Sequence, residues 1–242
     1  MLDYDKEAGE YDATRGGEPR AAAAAQSVLG LVPEEARSLL DIACGTGLVT
    51  RLLAAGRPGL RVAGADTSYG MARMAAKRLP GTVVLADSRR LPFQDGSFDA
   101  VSVIWLLHLL DDAASVVAEA ARVLRPGGVL VTTVDKDAAH HVGSDIDALA
   151  APYLKWSATD GATVVTARAA EHGLLPGGTA RFRGHGQGRI PRRLARHIRD
   201  GKAYAAGGAA LAERIESLPD PERPRPDPEF TLLAFRKPKP SA

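Results

Sequence analysis

Nine residues, Leu39-Leu40-Asp41-Ile42-Ala43-Cys44-Gly45-Thr46-Gly47, limit the folds open to this chain more than any other stretch. An apolar run ends in a carboxylate, crosses a turn of small residues and enters Leu48-Val49-Thr50-Arg51-Leu52-Leu53-Ala54, whose apolar side chains recur at helical spacing. The pattern predicts a strand, a tight glycine turn and a helix. Gly45 and Gly47 let backbone N–H groups approach a ligand and adopt dihedrals that a side chain forbids, while the helix start adds partial positive charge. Small residues after a strand also serve simply to start a helix, so the turn alone does not define a site.

A second acid sharpens the reading. Arg61-Val62-Ala63-Gly64-Ala65-Asp66 reads as the next strand, and Asp66 stands 19 residues after Gly47, where adjacent-strand geometry places a carboxylate on ribose hydroxyls. A nicotinamide site asks for a third glycine at position 50, to pack helix on strand beside a pyrophosphate, and Thr50 stands there. The run from Asp41 to Gly47 instead resembles motif I of the class I S-adenosylmethionine (SAM) methyltransferases, with Ala43 where that family usually has glycine. The resemblance continues through Val83-Val84-Leu85-Ala86-Asp87, Leu91-Pro92-Phe93, Ser97-Phe98-Asp99-Ala100-Val101 and Val123-Leu124-Arg125-Pro126-Gly127-Gly128. These motifs keep the family's order from about Leu39 to Val134; they are specific for family and silent on substrate.

The resemblance implies an α/β, Rossmann-like fold: a seven-stranded mixed sheet in the order 3-2-1-4-5-7-6, flanked by helices, with small N-terminal and post-strand-five lids. It implies one domain over residues 1–242, divided into N-terminal lid helices (1–32), a SAM-binding core (33–135), a substrate lid (136–160) and the C-terminal part of the fold (161–242). Cofactor contacts carried over are Tyr11, Arg15, Asp41, Ala43, Cys44, Gly45, Thr46, Gly47, Asp66, Thr67, Met71, Asp87, Ser88 and Ile104, with Asp66 on the ribose and Asp87 on the adenine amino group. Tyr4, Tyr11 and Arg15 are expected to fold over the methionine carboxylate or the substrate; the plainer alternative is a frayed polar terminus.

Val101 to Leu110 is the most apolar stretch and begins as a strand buried on both faces, so Ile104, Trp105 and His108 follow its ligand-bearing edge. Trp105, His108, Asp135, His140, His141 and Tyr153 are candidate substrate contacts, and His140, His141 and His108 candidate proton-handling groups, each weighed against packing or a solvated loop. A tandem histidine pair points its side chains apart, so no metal is expected. Ile146, Leu149, Tyr153, Leu154 and Trp156 read as a short amphipathic helix, Thr163 to Gly173 as another, and Thr179–Gln187 and Phe230–Arg236 as strands. Pro191 to Arg199 and Leu211 to Leu218 read as helices, followed by an extended proline-rich link, Pro219 to Pro228. Eight Lys or Arg fall between Arg181 and Lys202, but with Phe182 the lone aromatic there and no RNA-module signature, nucleic acid is not expected.

A chain of 242 residues fits one domain, and a net charge of +2 with 25% charged residues demands no polyanionic partner. A single cysteine, an acidic polar N-terminus and no long apolar run give the expectation of a cytoplasmic protein without a membrane span; a homodimer is left open. Heavy use of Ala, Gly, Arg and Pro suggests a GC-rich genome, which hints at bacterial specialised metabolism such as natural-product biosynthesis without showing it. The resemblance thus implies methyl transfer from SAM to a nitrogen, oxygen or carbon of a small metabolite. The alternatives are a SAM-binding protein without methyl transfer and, more remotely, a nicotinamide oxidoreductase.

Overall fold

The computed structural model describes residues 3–154 and 159–240, without the side chain of Ala205. Trp156 and part of the expected 136–160 lid lie outside the described residues. Two short helices, α1 (Tyr4–Glu7) and α2 (Tyr11–Thr14), precede the alanine-rich α3 (Gly17–Leu31). Strands and helices then alternate: β1 (Ser38–Ile42), α4 (Leu48–Gly56), β2 (Arg61–Asp66), α5 (Tyr69–Arg78), β3 (Val83–Leu85), β4 (Phe98–Val103), α6 (Ala114–Val123) and β5 (Leu124–Val134). There follow α7 (Asp145–Ala150), α8 (Ala162–Glu171), β6 (Leu175–Arg183), α9 (Pro191–Arg199), α10 (Gly208–Glu216) and β7 (Glu229–Arg236).

The seven strands form one sheet in the order β3-β2-β1-β4-β5-β7-β6, as expected. β1 to β5 pair in parallel, and β7 runs antiparallel between β5 and β6. Alternate residues of the central strands feed opposite faces. Leu40, Ile42, Val101 and Val103 pack under α6 and α8. Leu39, Val62, Val129, Val131 and Leu232 pack under α3 and α4. The chain winds away from β1 in both directions, toward β2 and toward β4, so a crevice opens beyond the carboxyl ends of these three strands.

A third, smaller core lies apart from the sheet. Ile146 from α7, Leu194, Ala195 and Ile198 from α9, and Leu211, Ala212 and Ile215 from α10 bury one another, with Tyr153 against them. The cap is therefore built from two segments, one after β5 and one between β6 and β7, where the sequence reading had expected only the first. Ser144 and Asp147 close a reciprocal capping box on α7. Asp147 also pairs with Arg189, which donates to the His140 carbonyl at 2.7 Å and to the Tyr204 hydroxyl at 2.9 Å, joining the two segments.

Some boundaries differ from expectation. β6 spans Leu175–Arg183, four residues earlier than the predicted Thr179–Gln187. As an edge strand it tolerates Pro176, a register irregularity before Gly178 absorbs the extra residue, and the chain turns away after Gly184. The 219–228 link starts with turns, Arg223 N donating to the Asp220 carbonyl, before losing regular structure.

Candidate active site

The crevice is a cleft of about 1050 Å³, open solvent at its mouth included, above the carboxyl ends of β1, β2 and β4. β1 delivers Asp41, whose two oxygens accept the hydroxyls of Thr50 (2.6 Å) and Ser102 (2.7 Å). The acid therefore ties β1 to α4 and β4, and Thr50 holds that tie where a nicotinamide fold would have glycine. Burial pushes Asp41 up to about 6, against the pull of its two hydroxyl donors.

The turn that follows is held in left-handed conformations. Ala43 has φ +55°, Gly45 +58° and Gly47 +77°. A Cβ on Gly45 would meet nothing within 4 Å, but one on Gly47 would stand 2.8 Å from both Cα and Cβ of Ala75. The two glycines thus do different jobs: Gly45 keeps the cleft wall bare, and Gly47 lets α4 and α5 close together. Gly47, expected as a cofactor contact, does not line the cleft.

Asp66 ends β2, only 8% exposed, and accepts Gly45 N at 2.8 Å and Ser68 N at 2.9 Å. Burial raises its pKa despite these N–H donors. Its carboxylate is fixed in orientation while still facing the cleft. Thr67, Met71, Ser88, Ile104, Cys44 and Thr46 complete the wall expected around a cofactor. Asp87 does not join them: its carboxylate turns to Arg89, with contacts of 2.7 to 3.2 Å, and Ser88 faces the cleft instead.

The opposite wall comes from the N-terminal segment. Tyr4, Tyr11 and Arg15 line the cleft, together with Asp12, Gly17 and Arg20, which sequence reading missed. Asp5 accepts the Ser68 hydroxyl and Gly70 N, each at 2.7 Å, and Asp12 accepts the Thr46 hydroxyl and an Arg78 N–H, also at 2.7 Å. Two aspartates thereby fasten α1 and α2 across the mouth. The signal lay in the alternation of acids with tyrosines, which reads as polar surface until Ser68 and Arg78 are placed opposite.

Arg20 is 7% exposed, its guanidinium carbon 3.5 Å from the centroid of the Trp105 ring. Its Nη1 donates to the Arg15 carbonyl at 2.6 Å, while its Nε has no partner. Burial draws its pKa down to about 10. Trp105 itself stands at φ +58°, an unusual conformation for a bulky residue, fixed by its N–H on Thr133 Oγ1 at 2.7 Å and by edge contacts to Phe182 and Phe230.

The remaining substrate candidates are not on the cleft wall. His108 is mostly buried and its Nδ1 has no partner; burial first, then Lys136, lowers it to about 4. His140 packs edge-on against Phe230 and burial lowers it likewise to about 4. His141 lies 3.5 Å from Asp147. Asp135 is exposed and caps the start of α8 through Ala162 N, and Tyr153 packs on the third core. His140, His141 and Tyr153 thus find a partner or a packing surface in or beside the cap, while Asp135 is engaged at the start of α8. No cluster of His, Cys, Asp or Glu able to hold a metal occurs among the described residues, and no described helix is long and apolar enough to cross a membrane. Of the eight basic residues between Arg181 and Lys202, six pair with carboxylates: Arg181, Arg183, Arg189, Arg192, Arg199 and Lys202.

Comparison with known proteins supports this frame. Residues 40–132, from β1 to β5, match the family described as "Methyltransferase domain". The chain is 43% identical over 96 residues to the ubiquinone/menaquinone biosynthesis C-methyltransferase UbiE of Desulfotalea psychrophila, covering 38% of this chain and 39% of that protein. It is 41% identical over 105 residues to the demethylmenaquinone methyltransferase of Thermotoga maritima, covering 43% and 44%. The matches thus span about two fifths of the length of these curated relatives. Among solved structures, the [4+2]-cyclase SpnF superposes with a TM-score of 0.60 at 19% identity, over 98% of this chain and 94% of that one. That likeness extends the shared fold to the cap.

Proposed function

We propose, from the match of residues 40–132 to the methyltransferase-domain family, that the chain binds SAM in the cleft and transfers its methyl group to a small molecule. The observation that carries the reading is Asp66, a buried carboxylate held by Gly45 N and Ser68 N at the end of β2 and facing the cleft beside a bare glycine turn. It is shaped for a ribose diol. Met71 and Ile104 supply apolar walls for a purine, Ser88 a polar contact at its edge, and Arg15 a cation for the methionine carboxylate. Bound SAM supplies a methyl group that is already electrophilic. The chain's own task is to align an acceptor, keep water out with α1 and α2, and leave the acceptor's lone pair free. Since none of the three histidines walls the cleft, we assign catalysis to placement and give His140, His141 and His108 structural roles.

The acceptor is proposed as a nitrogen, oxygen or carbon nucleophile of a small metabolite; quinone C-methylation, the chemistry named for the relatives above, and natural-product methylation both fit that class. The second reading, SAM binding without methyl transfer, is favoured by one observation: the cyclase SpnF has the same fold. Calorimetry with SAM, S-adenosylhomocysteine and NAD tests the cofactor: binding of the first two and not the third is expected, and the reverse refutes the proposal. Appearance of S-adenosylhomocysteine with a methylated acceptor in a metabolite screen separates the two SAM readings.

A further inference from the structure

Four buried side-chain polar atoms lack a hydrogen-bond partner among the described residues, Arg20 Nε, Trp105 Nε1, His108 Nδ1 and Arg125 Nε, and the first two belong to side chains stacked on each other. The first two belong to residues lining the cleft. Arg20 is the most unusual of them, a residue 7% exposed whose guanidinium carbon lies 3.5 Å over the Trp105 ring and that forms no ion pair among the described residues. Tyr11 and Asp12 offset part of this charge, but a buried cation with no ion pair and an orphan N–H is still costly, so folding alone does not explain the pair. Trp105 is held in a left-handed conformation to make the stack, which is the kind of strain that collects at ligand sites.

The charges nearby deepen the imbalance. Arg15 also lines the cleft and forms no ion pair among the described residues. Asp12 is already paired with Arg78, and Asp41 and Asp66 are engaged by hydroxyls and N–H groups at the far side of the turn. SAM brings one carboxylate against an ammonium and a sulfonium, so it enters with net positive charge and can satisfy one arginine at most. The second arginine is left for the other ligand.

We propose that Arg20, braced on Trp105, binds an oxyanion of the acceptor, so that the methyl acceptor of this protein is a carboxylate- or phosphate-bearing small molecule. The inference rests on the cofactor reading given above. The stacked guanidinium lies in the cleft wall with no ion pair of its own among the described residues, a charge that an oxyanion would meet by a charge-assisted hydrogen bond and a neutral acceptor would leave unfilled. Selectivity for acids over their neutral esters follows.

The test uses salicylate, phenyl phosphate and methyl salicylate, titrated calorimetrically into the protein saturated with S-adenosylhomocysteine. Wild type is expected to hold one of the two anions at least about tenfold more tightly than the ester, the size of one charge-assisted hydrogen bond; the better anion identifies carboxylate or phosphate. Arg20→Met should abolish that preference and Arg20→Lys retain part of it, while affinity for S-adenosylhomocysteine stays within about twofold of wild type in both. The melting temperature of Arg20→Met should not fall, because a buried uncompensated charge is removed; should Met fail to fold, Arg20→Lys carries the comparison. Anions bound no better than the ester by wild type overturn the inference. So does a loss of about tenfold or more in S-adenosylhomocysteine affinity in Arg20→Met with the anion preference intact, which assigns Arg20 to the cofactor. If wild type binds no S-adenosylhomocysteine, the cofactor reading fails by itself, and the same acid-to-ester comparison on ligand-free protein still decides the role of Arg20.

Discussion

The two ends of the cleft are made in opposite ways. At the β1–β2 end, the acids are satisfied within the protein: Asp66 by Gly45 N and Ser68 N, Asp41 by the Thr50 and Ser102 hydroxyls. At the other end Arg20 and Trp105 come from segments 85 residues apart, and their polar edges are left unsatisfied. One end is finished before a ligand arrives. The other has open valences, which is where specificity for a particular acceptor can be written without disturbing the fold.

Four experiments would break or sharpen this contrast. The largest effect is expected from Gly47→Val, where a Cβ must enter the 2.8 Å gap to Ala75 at φ +77°. Roughly 2 to 4 kcal/mol of stability should be lost in urea titration. Gly45→Val, facing open space, should stay closer to wild type in stability yet lose SAM binding. Equal destabilisation by both would erase the distinction between a packing glycine and a ligand glycine.

Next comes acidity. His140 has a folded pKa of about 4, below its unfolded value, so the unfolded chain binds more protons between about 4 and 6.5 and stability falls as pH falls through that window. Asp41, raised to about 6, works in the opposite sense: the folded chain binds the extra proton, and stability falls as pH rises from about 4 to 6. His140→Phe, keeping a ring on Phe230, should flatten the acid-side loss by on the order of 2 kcal/mol, and Asp41→Asn should steepen it. Chemical denaturation at a series of pH values reads both; parallel profiles for all three proteins would show that neither end titrates in this way.

Asp66→Ala should cost about 1 to 3 kcal/mol of SAM binding by calorimetry, since it removes a fixed acceptor and releases Gly45 N and Ser68 N. Unchanged affinity would remove Asp66 from the site. The smallest effect is a gain: Ala43→Gly should stabilise by about 0.5 to 1 kcal/mol, relieving a side chain at φ +55°. A loss of stability instead would mean that packing of the Ala43 methyl outweighs the dihedral.

The same contrast explains what could be read from the chain alone. Sheet order, the β1 turn and Asp66 were legible because strand ends, turn residues and a fixed interval to the next acid are local patterns with one structural solution. Asp87 is not on the cleft wall because Arg89, two residues away, engages its carboxylate, a local pairing that the strand-end pattern does not reveal. His140, His141, Asp135 and Tyr153 were read as pocket groups since they follow β5, but Asp135 caps α8, Tyr153 packs on the third core, and Arg189, from between β6 and β7, ties down the His140 carbonyl and the Asp147 that lies beside His141. The apolar face of α9 (Leu194, Ala195, Ile198) was visible in the sequence and required a partner; nothing local said that Ile146 would be that partner. Arg20 was hidden differently, as one cation opening an alanine-rich helix whose neighbour Trp105 is named only by the fold.

The fastening of α1 and α2 by Asp5 and Asp12 bears on the kinetics of the protein. Four polar contacts hold the segment against Ser68, Gly70, Thr46 and Arg78. At roughly 1 kcal/mol each, they leave the opened form populated in about one molecule in a thousand. A ligand lying beneath that segment cannot be exchanged faster than those contacts part, so its exchange has a ceiling set by a gate of two aspartates. Loosening either aspartate would then trade residence time for speed.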